Sequence, residues 1–196
     1  PIAAPNTTIS SGPPPIVASD SATFTFGSSQ EGSTFACALD SAVFQNCGSP
    51  ATISVSDGEH RFFVIAIRDG DTDPTPAAWT WTADTTPPKA VVKHQVDVGY
   101  RRLVLRWGSP LSAGADSVTV LQSGSPSRPP SREIYRGGGS RFVITGFANG
   151  VYRRYRIIAS DKAGNVSPAV DVVVKPSALL LAARTAAPGS FPRWAG

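Results

Sequence analysis

Methionine is missing from all 196 residues, and histidine and cysteine occur only twice each. The shortage of soft ligands argues against a zinc site, because His60, His94, Cys37 and Cys47 provide neither a Cys-x-x-Cys spacing nor a histidine pair. It also leaves little for a Ser-His-Asp arrangement. There is no Gly-x-Ser-x-Gly elbow and no Gly-x-Gly-x-x-Gly loop, so the sequence is read as non-enzymatic, with two solvated histidines. No apolar run reaches 18 residues, and the Leu-rich segment 177–183 is too short to cross a bilayer as a helix. Charged residues make up only 16% of the chain, and no long helical periodicity appears. Lysine occurs 4 times against 14 arginines, a balance expected of a GC-rich bacterial source. With no initiating Met and no signal peptide, the chain is expected to be a processed product or part of a longer one.

What is abundant is turn chemistry, with 18 glycines and 18 prolines. Between the turns lie short alternating segments: Ala22/Phe24/Phe26, Phe35/Cys37/Leu39, Thr52–Val55, Arg61–Ile67 (apolar on both faces) and Trp79/Trp81. The run Tyr155/Ile157/Ala159 breaks into a turn at 161–165, and 61–74 is a weaker copy of it. Gly58 and Gly150 align at an offset of 92 residues. Leu103/Leu105/Trp107, Val118/Val120, Ile134-Tyr135, 142–144 and 170–174 complete a second set of strands, opened by Val91-Val92. This pattern predicts an all-β fold of two tandem β-sandwich modules joined by a short Pro-rich linker, Pro87-Pro88. The boundaries are 1–86, 87–176, and a tail or the start of a further module at 177–196. Residues 1–20 read as a leader or an edge strand.

Cys37 and Cys47 stand ten apart on what read as neighbouring strands, and a cross-strand disulfide accounts for them better than a reactive thiol pair. A disulfide implies an oxidising compartment, hence a secreted (extracellular) or cell-surface protein.

Both halves resemble repeats of large secreted bacterial surface proteins. Thr34-Phe35-Ala36-Cys37-Ala38-Leu39-Asp40, Cys47-Gly48-Ser49-Pro50, Asp57-Gly58, Asp73-Pro74-Thr75-Pro76 and 81–88 resemble a bacterial immunoglobulin-like repeat. Leu103-x-Leu105-x-Trp107, Thr145-Gly146-Phe147-x-Asn149-Gly150 and Arg156-Ile157-Ile158-Ala159-x-Asp161-x-Ala163-Gly164-Asn165 resemble a fibronectin type III module. The resemblance implies a structural or adhesive segment of a surface protein or extracellular fibre. The alternative is an accessory carbohydrate- or cell-wall-binding region of a secreted enzyme. Two departures stand out. The tyrosine-corner slot falls on Arg153, between Tyr152 and Tyr155, and the 68–73 loop is one residue short and acidic.

Three candidate sites follow. Asp69, Asp71 and Asp73 place carboxylates at alternate positions, as calcium loops do. Thr80 stands where an EF-hand needs its Glu, which leaves an improvised calcium site or a polar loop; no other cofactor is expected. Charge is divided: residues 1–86 carry net −7 and 87–196 net +11. That division suggests partners: other copies or neighbouring modules of the same protein, or a glycan or cell-wall polymer, with nucleic acid the less favoured polyanion. Arg132, Arg136, Arg154 and Arg156 are the candidate polyanion contacts on one face, against the alternative of a dispersed solvated surface. The third candidate, stacking of Trp79, Trp81 or Trp107 on sugars, competes with core packing. Asn6-Thr7-Thr8 and Asn165-Val166-Ser167 match the glycosylation acceptor pattern.

Overall fold

The structure is a computed structural model that describes residues 3–175 apart from Lys93, Tyr100, Pro126, Phe147 and Asn149. The expected module or tail at 177–196, and the Phe147 and Asn149 positions of the 145–150 motif, lie outside the described residues. Strands and turns account for the described chain, with one short 3-10 turn at Pro110–Ala113. It folds into two compact units that divide after Thr86, each a pair of facing sheets.

The strands of the first unit are β1 (Thr7–Ser11), β2 (Ile16–Val17), β3 (Ser21–Ser28), β4 (Thr34–Leu39), β5 (Gln45–Cys47), β6 (Ala51–Ser54), β7 (Gly58–Arg68), β8 (Asp71–Thr72) and β9 (Ala77–Ala83). One sheet has the order β1-β3-β6. The other runs β2-β9-β7-β4-β5, with β8 paired to β7. The N-terminal segment therefore serves both sheets, β1 pairing with β3 and β2 lying parallel to β9. The crossing falls at Gly12-Pro13-Pro14-Pro15, where prolines without N–H groups end one ladder. Gly12 is required there, because a Cβ would stand 2.7 Å from the Trp79 ring.

Alternation decides the core. On β3, Ala22, Phe24 and Phe26 are buried while Ser21, Thr23 and Thr25 face solvent. Phe24 stacks on Phe62 with ring centroids 4.1 Å apart and meets Trp81 edge-on at 5.2 Å. Burying each such phenyl ring contributes about 1.5–3 kcal/mol. Trp79 shares Trp81's face, packs against the same cluster and donates its Nε1–H to Pro13 O at 3.0 Å. Trp81 and Trp107 are core residues. Cys37 and Cys47 are bonded, their Cα atoms 5.8 Å apart and within the usual range. The bridge closes the β4–β5 hairpin.

The second unit comprises β10 (Gln95–Gly99), β11 (Arg102–Arg106), β12 (Ser117–Gln122), β13 (Arg132–Gly137), β14 (Arg141–Thr145), β15 (Arg153–Ser160) and β16 (Val170–Val174). Its sheets are β10-β11-β14 and β13-β12-β15-β16. Leu103, Leu105, Trp107, Val118, Val120, Tyr155, Ile157 and Ala159 form the core between them. The first strand is Gln95–Gly99 rather than Val91-Val92; Val91 is a buried lead-in, and the Val92 carbonyl accepts the Gly108 N–H at 2.9 Å. Tyr155, not Tyr152, fills the interior, and its hydroxyl has no hydrogen-bond partner among the described residues. Burial raises the Tyr155 phenol above its ordinary value, with the Arg153 charge opposing.

Candidate functional site

The most organised polar cluster surrounds His60 on β7. Its Nδ1–H donates to Asp40 Oδ2 at 2.7 Å and its Nε2–H to Ser56 O at 2.8 Å. Both nitrogens can donate only in the imidazolium. The bonds that His60 donates to Asp40 and to the Ser56 carbonyl accordingly raise its pKa above 6.5, against the opposing effect of burial. Asp40 has φ 53° in the turn after β4. Its N–H donates to Arg61 O at 2.9 Å, and its Oδ1 accepts the Arg61 N–H at 2.7 Å. Burial would raise the Asp40 pKa, but the bonds from His60 and Arg61 prevail and lower it. His60 is only 8% exposed and packs 5.4 Å from the Trp81 ring, so it is not the solvated residue expected from sequence. With both nitrogens engaged, it has none left to serve as a general base.

This clamp fixes the 40–44 loop against β7 and shapes one end of a groove of about 680 Å³ on the outer face of the sheet. Phe44, Phe63 and Pro76 form its apolar lining, and Ser41, Glu59 and Arg61 contribute polar groups. The Arg61 guanidinium lies over the Phe63 ring, 4.7 Å from its centroid.

The three aspartates of the 69–73 loop do not converge. Asp69 and Gly70 occupy a tight two-residue turn with positive φ (51° and 92°), which brings Asp71 opposite Arg68 as the start of β8. Asp69 pairs with Arg68 Nε at 2.9 Å, and Asp71 is exposed. Asp73 turns inward and accepts hydrogen bonds from Thr7 N at 2.6 Å, Thr75 N at 2.8 Å and Thr75 Oγ1 at 3.0 Å. Among the described residues no group of three or more His, Cys, Asp or Glu side chains is arranged to hold a metal ion.

The four arginines are divided as well. A bulge pairs Val120 with Tyr135 but Leu121 with Glu133, which reverses the parity of β13. Arg136 therefore shares the outer face with Arg154 and Arg156, whereas Arg132 falls on the row of Gln122 and Tyr155 and donates to Gln122 Oε1 at 3.2 Å. The shared-face expectation fails for Arg132 because one extra residue shifts a period-2 pattern. The other three are paired: Arg136 with Glu133 at 2.8 Å, and Arg154 and Arg156 both with Asp171 at 2.8 Å. Arg102 and Arg106 lie on the opposite sheet. In the second glycosylation pattern Ser167 is buried and its hydroxyl accepts the Ala159 N–H at 3.0 Å, whereas Asn6 of the first is exposed.

The Asp40–His60 clamp was missed from sequence because its members are twenty residues apart. The available signal was a lone histidine at an inward position of an alternating strand, where a buried imidazole needs two partners.

No family model matches the chain, and no curated protein does either. Solved structures match in fold. The chicken CNTN1 FN1-FN3 domains align over 89% of this chain and 69% of that one at 10% identity, TM-score 0.59. The fibronectin(III)-like modules of Clostridium thermocellum CbhA align over 87% and 94% at 13% identity, TM-score 0.54. Three consecutive titin domains align over 80% and 58% at 16% identity, TM-score 0.54. This likeness shows the fold alone, tandem β-sandwiches like those of these fibronectin type III and titin domains, and nothing finer.

Proposed function

We propose that the protein is a non-enzymatic structural and adhesive segment of a secreted bacterial surface protein, its two sandwiches acting as spacer and contact surface. The observation that carries this reading is the state of its most organised polar groups. Asp40 and His60 are engaged with each other and with backbone, Asp73 with Thr7 and Thr75, and Asp171 with two arginines. Each brace holds the fold and leaves no charged pair poised for proton transfer. The disulfide fits an oxidising exterior, and no helix among the described residues is long and apolar enough to cross a membrane. Protease treatment of intact cells of the source bacterium tests the placement. Peptides of this chain are expected in the released fraction, and their recovery only after lysis overturns the surface assignment.

A further inference from the structure

We propose that the Phe44–Phe63 groove of the first unit is a binding site for an uncharged glycan chain, with the Phe44 ring as stacking platform, Phe63 beneath the Arg61 guanidinium as apolar floor, and Glu59, Arg61 and Ser41 as hydrogen-bonding groups. The proposal deepens the adhesive reading above and rests on it.

A sheet with one solvated face normally alternates apolar residues inward with polar residues outward. Strand β7 does not. His60, Phe62, Val64 and Ala66 point to the core, yet Phe63, Ile65 and Ile67 on the other face are apolar too. The register sets Ala38 opposite one side of Phe63 and Ala78 opposite the other. Phe63 thus rises between two methyl groups, and Phe44, just before β5 on the far side of β4, forms a second apolar wall. Neighbouring strands lie about 4.8 Å apart, so this is a shallow trough rather than a closed pocket.

The polar groups identify the occupant's chemistry. Glu59 and Arg61 are two apart on the outer face of β7, and among the described residues neither side chain has an ion-pair partner. One accepts hydrogen bonds, the other donates, and their charges cancel. A polyanion would meet Glu59 within a module of net −7, and a polycation would meet Arg61. A lipid surface would have to strip water from both. A neutral pyranose chain offers an apolar C–H face for the Phe44 ring, and hydroxyls that both donate and accept along its edges for Glu59 and Arg61.

The site is also braced in advance. The loop carrying Ser41 and Phe44 is closed on one side by the Cys37–Cys47 bridge and tied on the other to β7 by Asp40 and His60. Stacking on Phe63 holds the Arg61 guanidinium. A rigid loop loses little entropy when a ligand arrives.

The test is native electrophoresis of the full chain through gels containing hydroxyethylcellulose, glycol chitin, arabinoxylan or polygalacturonate. At least one neutral polymer is expected to retard the protein. Phe63→Ala and Arg61→Ala should each weaken that retardation about tenfold, while Arg136→Ala on the second unit leaves it unchanged. Near-UV circular dichroism checks that Phe63→Ala still folds, and Arg61→Ala, a surface change, covers the case in which it does not. Retardation by polygalacturonate alone, by none of the four, or to the same degree in the groove variants overturns the proposal. None of those results touches the non-enzymatic reading, which falls instead if new reducing ends accumulate in any of the polymers.

Discussion

Asp73 reaches back 66 residues to accept the Thr7 N–H at 2.6 Å, and the Thr7 hydroxyl in turn accepts the Ala66 N–H at 2.8 Å. The Asp73 N–H donates to Ala66 O at 2.9 Å, so one carboxylate and one hydroxyl tie β1 to the β7–β9 region where ladder pairing is interrupted. Both carboxylate oxygens accept, which means an amide would turn a donor toward a donor. Asp73→Asn and Asp73→Ala are therefore each expected to destabilise the first unit by about 1–3 kcal/mol, the cost of a buried unsatisfied group. Faster hydrogen exchange at Ala66, with the second unit's core amides unaffected, is the readout. Burial favours the neutral form of Asp73, but the bonds from Thr7 and Thr75 outweigh it and lower the pKa below 3.8. Its contribution is thus present above about 3.8 and is lost as pH falls through the lower folded value.

The Asp40–His60 clamp has the opposite sign on its histidine side. The folded pKa of His60 is raised above 6.5 by Asp40 and Ser56. Its contribution is complete below 6.5 and declines as pH rises through the folded value. Asp40, lowered from 3.8, loses its share on the acid side. Glu59 and Arg61 flank the ring on its own strand, and Trp81 faces it from β9. Urea midpoints of the first unit should be flat between about pH 4.5 and 6 and fall above that range, and His60→Gln should flatten the alkaline decline. An equal decline in His60→Gln would show that the clamp is not its source.

Asp171 is held down to about pKa 2, chiefly by its bond with Arg156; burial opposes this, and the bond from Arg154 adds to the lowering. The three side chains are about one-third exposed, so Asp171→Asn is expected to cost about 1 kcal/mol or less. The same change releases two guanidinium groups on one face. If the basic unit binds polyanions, Asp171→Asn should elute from heparin at higher salt than the parent, and Arg154→Ala/Arg156→Ala at lower salt. Identical elution of all three removes this face from consideration.

The sequence was most informative where period 2 coincided with burial. Phe24 and Phe26, Leu103 and Leu105, and Tyr155 and Ile157 all point inward as their alternation requires. The cysteine pair was legible because ten residues and one turn leave two adjacent strands within bridging distance. Single-residue irregularities were not legible. The β13 bulge took Arg132 off its expected face, and the Asp69-Gly70 turn, a strong hairpin signal read as a loop, sent three alternating carboxylates into three environments. Strand β10 was missed although Val96 and Val98 alternate with Gln95 and Asp97. The groove had one forewarning, a strand apolar on both faces. Its polar half depends on a clamp between turns that no local pattern encodes.

Charge division carries the last prediction, which concerns partners. Residues 1–86 hold net −7 and 87–196 net +11, so the acidic unit of one copy and the basic unit of another attract. Such a contact joins two different surfaces, and a heterologous contact that does not close into a ring propagates into a filament. The same attraction could act instead between successive modules of one longer chain. Either contact must weaken with salt, because the Debye length falls from about 10 Å at 0.1 M to about 3 Å at 1 M. Static light scattering of the purified chain should therefore show an apparent mass that rises with concentration at low salt and returns to 20.4 kDa at 1 M. Self-association that strengthens with salt would point to apolar burial instead, with the Phe63–Ile67 face of β7 the first surface to mutate. A chain that remains monomeric at high concentration in low salt ends the filament version and leaves the spacer role, in which neighbouring modules supply the opposing charge.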